Sequence, residues 1–334
     1  MKKAQPRLFT PRQNYKPFEY PEYYQDGWLP HENYHWVHTE IPHGEDVKHF
    51  NEELLEFERT MIKKILSQLA AVECEVSDYW TGVVRKYFPK HEIKHMAQSF
   101  GAREATHAAA YFYLNEALDV VEESNQYLED KNLSDKLEVL INANLENSKG
   151  ELDYNKLALS LAAFSGIAEG VTLFSSFATL LSFSSRSQGL FPGIFQQISY
   201  SVRDESLHSN MGCRLFRQMC SEIPDLLTRE FKDTIINAAR VAMQLEENFI
   251  NEIFGDNRLP NLTKEELINF MKYRINDRMY ALGIEEEVYE VDEQMMRSME
   301  WFEMSISGTM KKDFFHIKPS EYGKSESNWD LSEL

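Results

Sequence analysis

Five Glu-x-x-His spacings occur in this chain: Glu32/His35, Glu40/His43, Glu92/His95, Glu104/His107 and Glu205/His208. Residues three apart share one face of a helix, with Cβ atoms about 5–6 Å apart, so each pair can offer a carboxylate and an imidazole to one metal ion. Context separates the five. Pro42 disfavours a helix across Glu40/His43, and Glu32/His35 lies in a Pro- and Tyr-rich arm. Glu92 stands in the first turn after Pro89, where a carboxylate suits the positive end of the helix. Glu104/His107 instead sits mid-helix in GAREATHAAAY, among Gly101, Ala102, Ala105 and Ala108 to Ala110, small residues that permit close helix approach. Glu205/His208, in SVRDESLH, follows Pro192 by several turns. These two pairs are the candidates for a two-metal site.

Lone carboxylates complete the set. Glu73 lies between apolar neighbours in LAAVECEV, with Glu75 as a rival on the same helix, and Glu169 is the sole charge between Leu157 and Ser185. A buried, unpaired carboxylate is expensive, so it must be protonated, ion-paired or bound to metal. One Glu from each of two helices plus a Glu-x-x-His from each of two others is the ligand pattern of ferritin-like di-iron and di-manganese bundles. Four carboxylates with two imidazoles suit iron or manganese better than a zinc–thiolate site or an all-oxygen calcium cage.

The elements that must carry these residues are helices. Only 14 Gly and 11 Pro in 334 residues argue for an all-α fold, a ferritin-like helical bundle with extra flanking helices. Residues 1–45 read as an irregular arm with short helices, 46–310 as the metal-binding domain and 311–334 as a loose tail. Asn51 is placed as the cap of a helix running unbroken to Phe88. Further helices are expected at about 91–121, 155–186, 194–221, 225–254, 263–282 (with Thr263 and Glu266 as a capping box) and 291–308, with a short one within 122–153 and a break at GLFPG, 189–193. The apolar stretch 157–185 could pass for a membrane span. Its central Glu169 and its Ser and Gly content favour a core helix, which is also apolar all round. The net charge of −19, with no basic stripe, argues against nucleic acid or an anionic membrane as partner. Three cysteines without zinc spacing and no apolar leader fit free thiols in a reducing cytoplasm.

Tyr111, four residues after His107, falls one turn along the same face. With it, GAREATHAAAY, the lone Glu169 in AEGVTLFSSF, and RDESLH resemble the small, radical-generating subunit of class I ribonucleotide reductase over most of residues 28–250. The resemblance implies that Glu73, Glu104 and His107 hold one metal and Glu169, Glu205 and His208 the other, with bridging carboxylates between. It implies that Tyr111 is the radical tyrosine and that Phe174 and Phe177 shield it. It makes Asp204 the carboxylate behind a metal-bound histidine, Trp36 the tryptophan linked to it, and Tyr322 a relay tyrosine in a tail that binds the large catalytic subunit. The ending SNWDLSEL, with Trp329, Leu331 and Leu334 among acidic residues, has that character. Homodimers are usual in the family. Many members carry Asp where Glu73 stands, and Glu occurs in relatives that use manganese, alone or with iron. Two irons are therefore the default, with Mn/Mn or Mn/Fe as alternatives, and the oxidant rests on Tyr111 or on the metals. A ferritin-like oxidase acting on an organic substrate, or a storage bundle, would use the same ligands without Tyr111 or the tail.

Overall fold

The computed structural model describes residues 5–12, 14–122, 145–186, 189–302 and 304–305. Among the described residues there is no strand, only two isolated bridges, Glu146 with Leu152 and Leu259 with Leu262. The helices are α1 (Leu29–Asn33), α2 (Gly44–Glu52), α3 (Glu56–Asp78), α4 (His91–Ala117), α5 (Tyr154–Ser184), α6 (Pro192–Glu222), α7 (Arg229–Phe254), α8 (Lys264–Ala281) and α9 (Glu293–Ser298). The pair α3/α4 packs lengthwise, as does α5/α6, and α7 and α8 lie against α5. The fold is the all-α, ferritin-like bundle that the composition and spacing imply.

Two helix boundaries and one packing expectation differ from the sequence reading. The first long helix does not start at Asn51, which lies in the last turn of α2 and donates from Nδ2 to the carbonyl of Val47. The chain breaks at 53–55 because side chains satisfy its ends: Glu58 accepts the Leu55 N–H at 2.9 Å, and Arg59 donates to the Leu54 carbonyl at 2.8 Å. Neither Gly nor Pro marks the break. Ala102 and Ala105 face outward on α4, so the close approach to α3 rests on Gly101. A Cβ there would overlap the Thr81 side chain, and the Gly101 carbonyl accepts from Ser77 Oγ at 2.9 Å. Finally, α4 ends at Ala117 rather than near 121.

Other signals hold. Thr263 and Glu266 form the capping box of α8. Pro192 opens α6 after Phe191, whose φ is +61°. The N-terminus of α6 is capped from α2, where Asp46 accepts the N–H groups of Gly193 and Ile194, each at 3.0 Å. Apolar α5 is buried on all sides as core. Within it, Ala162–Thr172 is a π-helix, and a second π-helical turn, Tyr79–Val84, follows α3. Such segments are uncommon in helices and gather at functional sites. The arm carries a third, Tyr23–Trp28, leading into α1. It is pinned to α4 by Glu92, whose Oε1 accepts the N–H groups of Glu19 and Tyr20 at 2.8 and 2.9 Å. Cys213 and Cys220 are free and buried. The short helix expected within 122–153 falls largely outside the described residues, as do the side chains of Cys74 and Glu75 and the 311–334 tail with Tyr322.

Candidate metal centre

Each of the four central helices aims acid or imidazole inward at one level. Glu73 comes from α3, Glu104 and His107 from α4, Glu169 from the π segment of α5, and Glu205 and His208 from α6; none has exposed surface. Their ligand atoms form two overlapping groups, each within 4.8 Å. Glu73, Glu104, His107 and Glu205 make one, and Glu104, Glu169, Glu205 and His208 the other. The overlap is Glu104 and Glu205, and their oxygens are divided. Glu104 places Oε2 2.8 Å from His107 Nδ1 and Oε1 2.5 Å from His208 Nδ1. Glu205 places Oε1 3.1 Å from His107 Nδ1 and Oε2 3.8 Å from His208 Nδ1. Glu73 approaches only His107 (3.6 Å), and Glu169 only His208 (3.9 Å).

These separations are ion-pair distances, yet they lack hydrogen-bond angles. Both oxygens of Glu73, Glu104 and Glu205, Oε2 of Glu169 and both Nδ1 atoms make no hydrogen bond despite full burial. The angles are the better guide, because a hydrogen bond fails when lone pairs do not face a donor. So many orphaned buried acceptors are very costly without a cation among them. The donor set therefore fits a pair of divalent ions, with Glu104 and Glu205 shared.

Without cations the charges crowd. Burial raises Glu169 and Glu205 well above the usual carboxyl range, reinforced by neighbouring carboxylates. Burial likewise lifts Glu73, to about 7. Burial would also raise Glu104, but His208 and His107 override it and hold it low. For His107, burial works against charge, yet Glu104 and Asp204 prevail and raise it. Metal binding at such a site must displace protons.

The two histidines are supported differently. His107 Nε2 lies 3.4 Å from Asp204 Oδ2, which accepts from Trp36 Nε1 at 2.8 Å and Arg103 at 3.2 Å. Trp36 is buried, stacked on His107 with ring centroids 5.6 Å apart, and also beside Tyr200. His208 Nε2 instead faces His31 Nε2 at 3.1 Å, and Phe100 stacks on the His208 ring at 4.1 Å. Burial pushes His31 down to about 2. Trp80 donates to Glu169 Oε1 at 2.5 Å, so the hydrogen bond joins the two π segments. Tyr111 is buried, and its hydroxyl donates to Ser201 Oγ at 3.0 Å. Burial, then the charge of Glu73, raises its phenol well above the usual value. Phe174 and Phe177 are buried in contact with each other at 5.6 Å; Phe174 also meets Phe302 and lies under the Arg274 guanidinium.

His31, Ser99, Trp80 and Ser201 escaped the sequence reading. Trp80 lies seven residues after Glu73, a same-face spacing that could have marked it. Nothing local marks His31, which reaches the centre from the arm. Of the dismissed pairs, Glu40/His43 and Glu92/His95 are structural: His43 binds Asp46, and Glu92 holds the arm. Glu32 is not idle, since it accepts from Ser99 Oγ.

Residues 12–295 match the family model described as ribonucleotide reductase, small chain. A probable ribonucleoside-diphosphate reductase small subunit of Invertebrate iridescent virus 3 is 31% identical, over 98% of this chain and 88% of its own length. The ribonucleoside-diphosphate reductase subunit beta of Halalkalibacterium halodurans is 26% identical over 90% of this chain and 85% of its own. Among solved structures, a putative class I ribonucleotide reductase from Bacillus halodurans superposes with TM-score 0.73 at 24% identity, covering 83% of this chain and 96% of that one. The dimanganese(II)-NrdF of Streptococcus sanguinis gives 0.72 at 17% identity, covering 87% and 99%.

Proposed function

The chain belongs to the ribonucleotide reductase small-chain family, and from that membership we propose how its buried residues divide the work. It is the small subunit of ribonucleoside-diphosphate reductase, partner to the large subunit in which ribonucleotides become deoxyribonucleotides. Its cofactor is a dinuclear iron or manganese centre. Glu73 and His107 would hold one ion and Glu169 and His208 the other, with Glu104 and Glu205 available to both; the division of carboxylate oxygens between the imidazoles supports this assignment above any other observation. When bound and oxidised, that centre supplies a one-electron oxidising equivalent.

The remaining work belongs to side chains. Tyr111 is the residue that would yield an electron to the oxidised centre, and its phenol stays protonated until then, because a phenolate is strongly disfavoured where burial and Glu73 both oppose it. Ser201 Oγ accepts the hydroxyl hydrogen bond and fixes the ring. Phe174 and Phe177 keep the surroundings apolar. Asp204 orients His107 and couples it to Trp36, so that the hole leaves by Trp36 and, beyond it, Tyr322. The tail ending SNWDLSEL docks on the large subunit, and the small subunit works as a cytoplasmic homodimer. Glu at position 73, with the dimanganese state of the Streptococcus sanguinis protein, favours manganese in at least one position.

Tyr111→Phe tests the assignment. Electron paramagnetic resonance of the reconstituted variant should lose its tyrosyl signal while metal content stays unchanged. Retained reductase turnover in that variant would place the oxidant on the metals instead.

A further inference from the structure

The His208 side of the centre is tied to the surface by a hydrogen-bonded chain whose polarity can be worked out from its outer end. Glu32 is exposed, and a carboxylate only accepts, so the Ser99 hydroxyl spends its one proton on Glu32. Ser99 Oγ is then an acceptor toward His31 Nδ1, 2.7 Å away, which must carry a hydrogen. A neutral imidazole has one N–H, so His31 Nε2 is left with a bare lone pair aimed at His208 Nε2, 3.1 Å away. His208 Nε2 must fill that contact with its own N–H. Its Nδ1 is then free of hydrogen on the side where Glu104, Glu169 and Glu205 converge. The opposite polarity fails geometrically, because an N–H on His31 Nε2 would force the His208 hydrogen onto Nδ1, into the position a metal must occupy.

We propose that His31 is a positioning residue that fixes the metal-binding tautomer of His208, and that Ser99 and Glu32 set its direction from the protein surface. The inference rests on the ligand reading above and deepens it. His31 is buried on α1, packed edge-on against Phe100 with centroids 4.8 Å apart, so its ring has one orientation to offer. The arrangement is local to one ion. His107 has its own carboxylate, Asp204, and no part in the chain.

Equilibrium dialysis of Mn(II) against the metal-free full-length protein, with helicity followed by circular dichroism, tests the idea without turnover. The intact chain should take up two ions. His31→Leu should keep one at unchanged affinity and bind the other about 10- to 100-fold more weakly, the usual cost of losing the partner behind a metal-bound histidine. His31→Gln, whose side-chain oxygen can accept the same N–H, should restore the second ion. Ser99→Ala should weaken the second ion alone, and it carries the test with His31→Gln if His31→Leu does not fold. Full two-ion binding by folded His31→Leu would overturn the proposal, and so would a Gln variant that binds no better than Leu, since ring packing would then be the cause. His208→Ala separates the two levels: if it too keeps both ions at full affinity, the ligand assignment has failed rather than the role of His31.

Discussion

The His107 half and the His208 half of the centre start from the same Glu-x-x-His spacing and end in opposite surroundings. An anion stands behind His107, held by Arg103 and the Trp36 indole. Behind His208 stands a buried imidazole that burial keeps neutral. The support is also crossed. Asp204 on α6 serves the histidine of α4, whereas Ser99 and Phe100 on α4 serve the histidine of α6. A repeated ligand motif thus specifies the ligands and leaves their tuning to whatever the rest of the fold brings up. A carboxylate partner makes an imidazole a stronger donor than a neutral partner does. We therefore expect the His107 position to hold its ion more tightly.

The largest effect should come from a residue common to both halves. Glu205→Ala should reduce metal content to near zero, whereas Glu73→Ala or Glu169→Ala should spare one ion; plasma emission analysis of dialysed protein distinguishes them. If Glu205→Ala kept one ion, the sharing of that carboxylate would be wrong. Next comes Asp204→Asn. It leaves Arg103 buried beside a neutral amide, which costs about 3–5 kcal/mol when one partner of a buried pair is lost. Denaturant titration should show that loss, with weakened binding confined to the His107 position. Trp80→Phe removes a hydrogen bond to a carboxylate worth about 1.5–3 kcal/mol and should loosen only the His208 position. Equal weakening of both ions would erase the distinction between the halves.

The smallest expected effect is on pH. Glu19, about a quarter exposed, is held by hydrogen bonds from Arg7 and Lys90 down to about 2 from an ordinary 4.5. A depressed carboxyl pKa contributes stability that is complete above 4.5 and drains away as pH falls toward 2. Limited proteolysis should cut the arm faster across that window, and Glu19→Gln should flatten the dependence.

Much of this was legible in the residues. Glu104/His107 and Glu205/His208 stood out because helical spacing is local, and Glu73 and Glu169 because a charge in an apolar run needs a reason. What escaped depends on residues distant in sequence. Trp80 meets Glu169 across 89 positions and His31 meets His208 across 177, and no periodicity encodes either meeting. The break at 53–55 was invisible because Glu58 and Arg59 cap it from within ordinary helical sequence. The outward turn of Ala102 and Ala105 shows that small side chains mark a close approach only when their face is known.

The arm has a consequence in time. Its anchors lie far downstream: Trp36 reaches Asp204 across 168 residues, and the Leu8 N–H reaches Glu222 across 214. At typical synthesis rates of about 5–20 residues per second, that separation is roughly ten to forty seconds. Glu92 can hold Glu19 and Tyr20 early, but Leu8 and Trp36 must wait for α6 before the arm settles fully. Until it does, His208 lacks His31 and Asp204 lacks the Trp36 indole, so a newly made chain becomes fully ready for its metals only when the arm has folded onto α6.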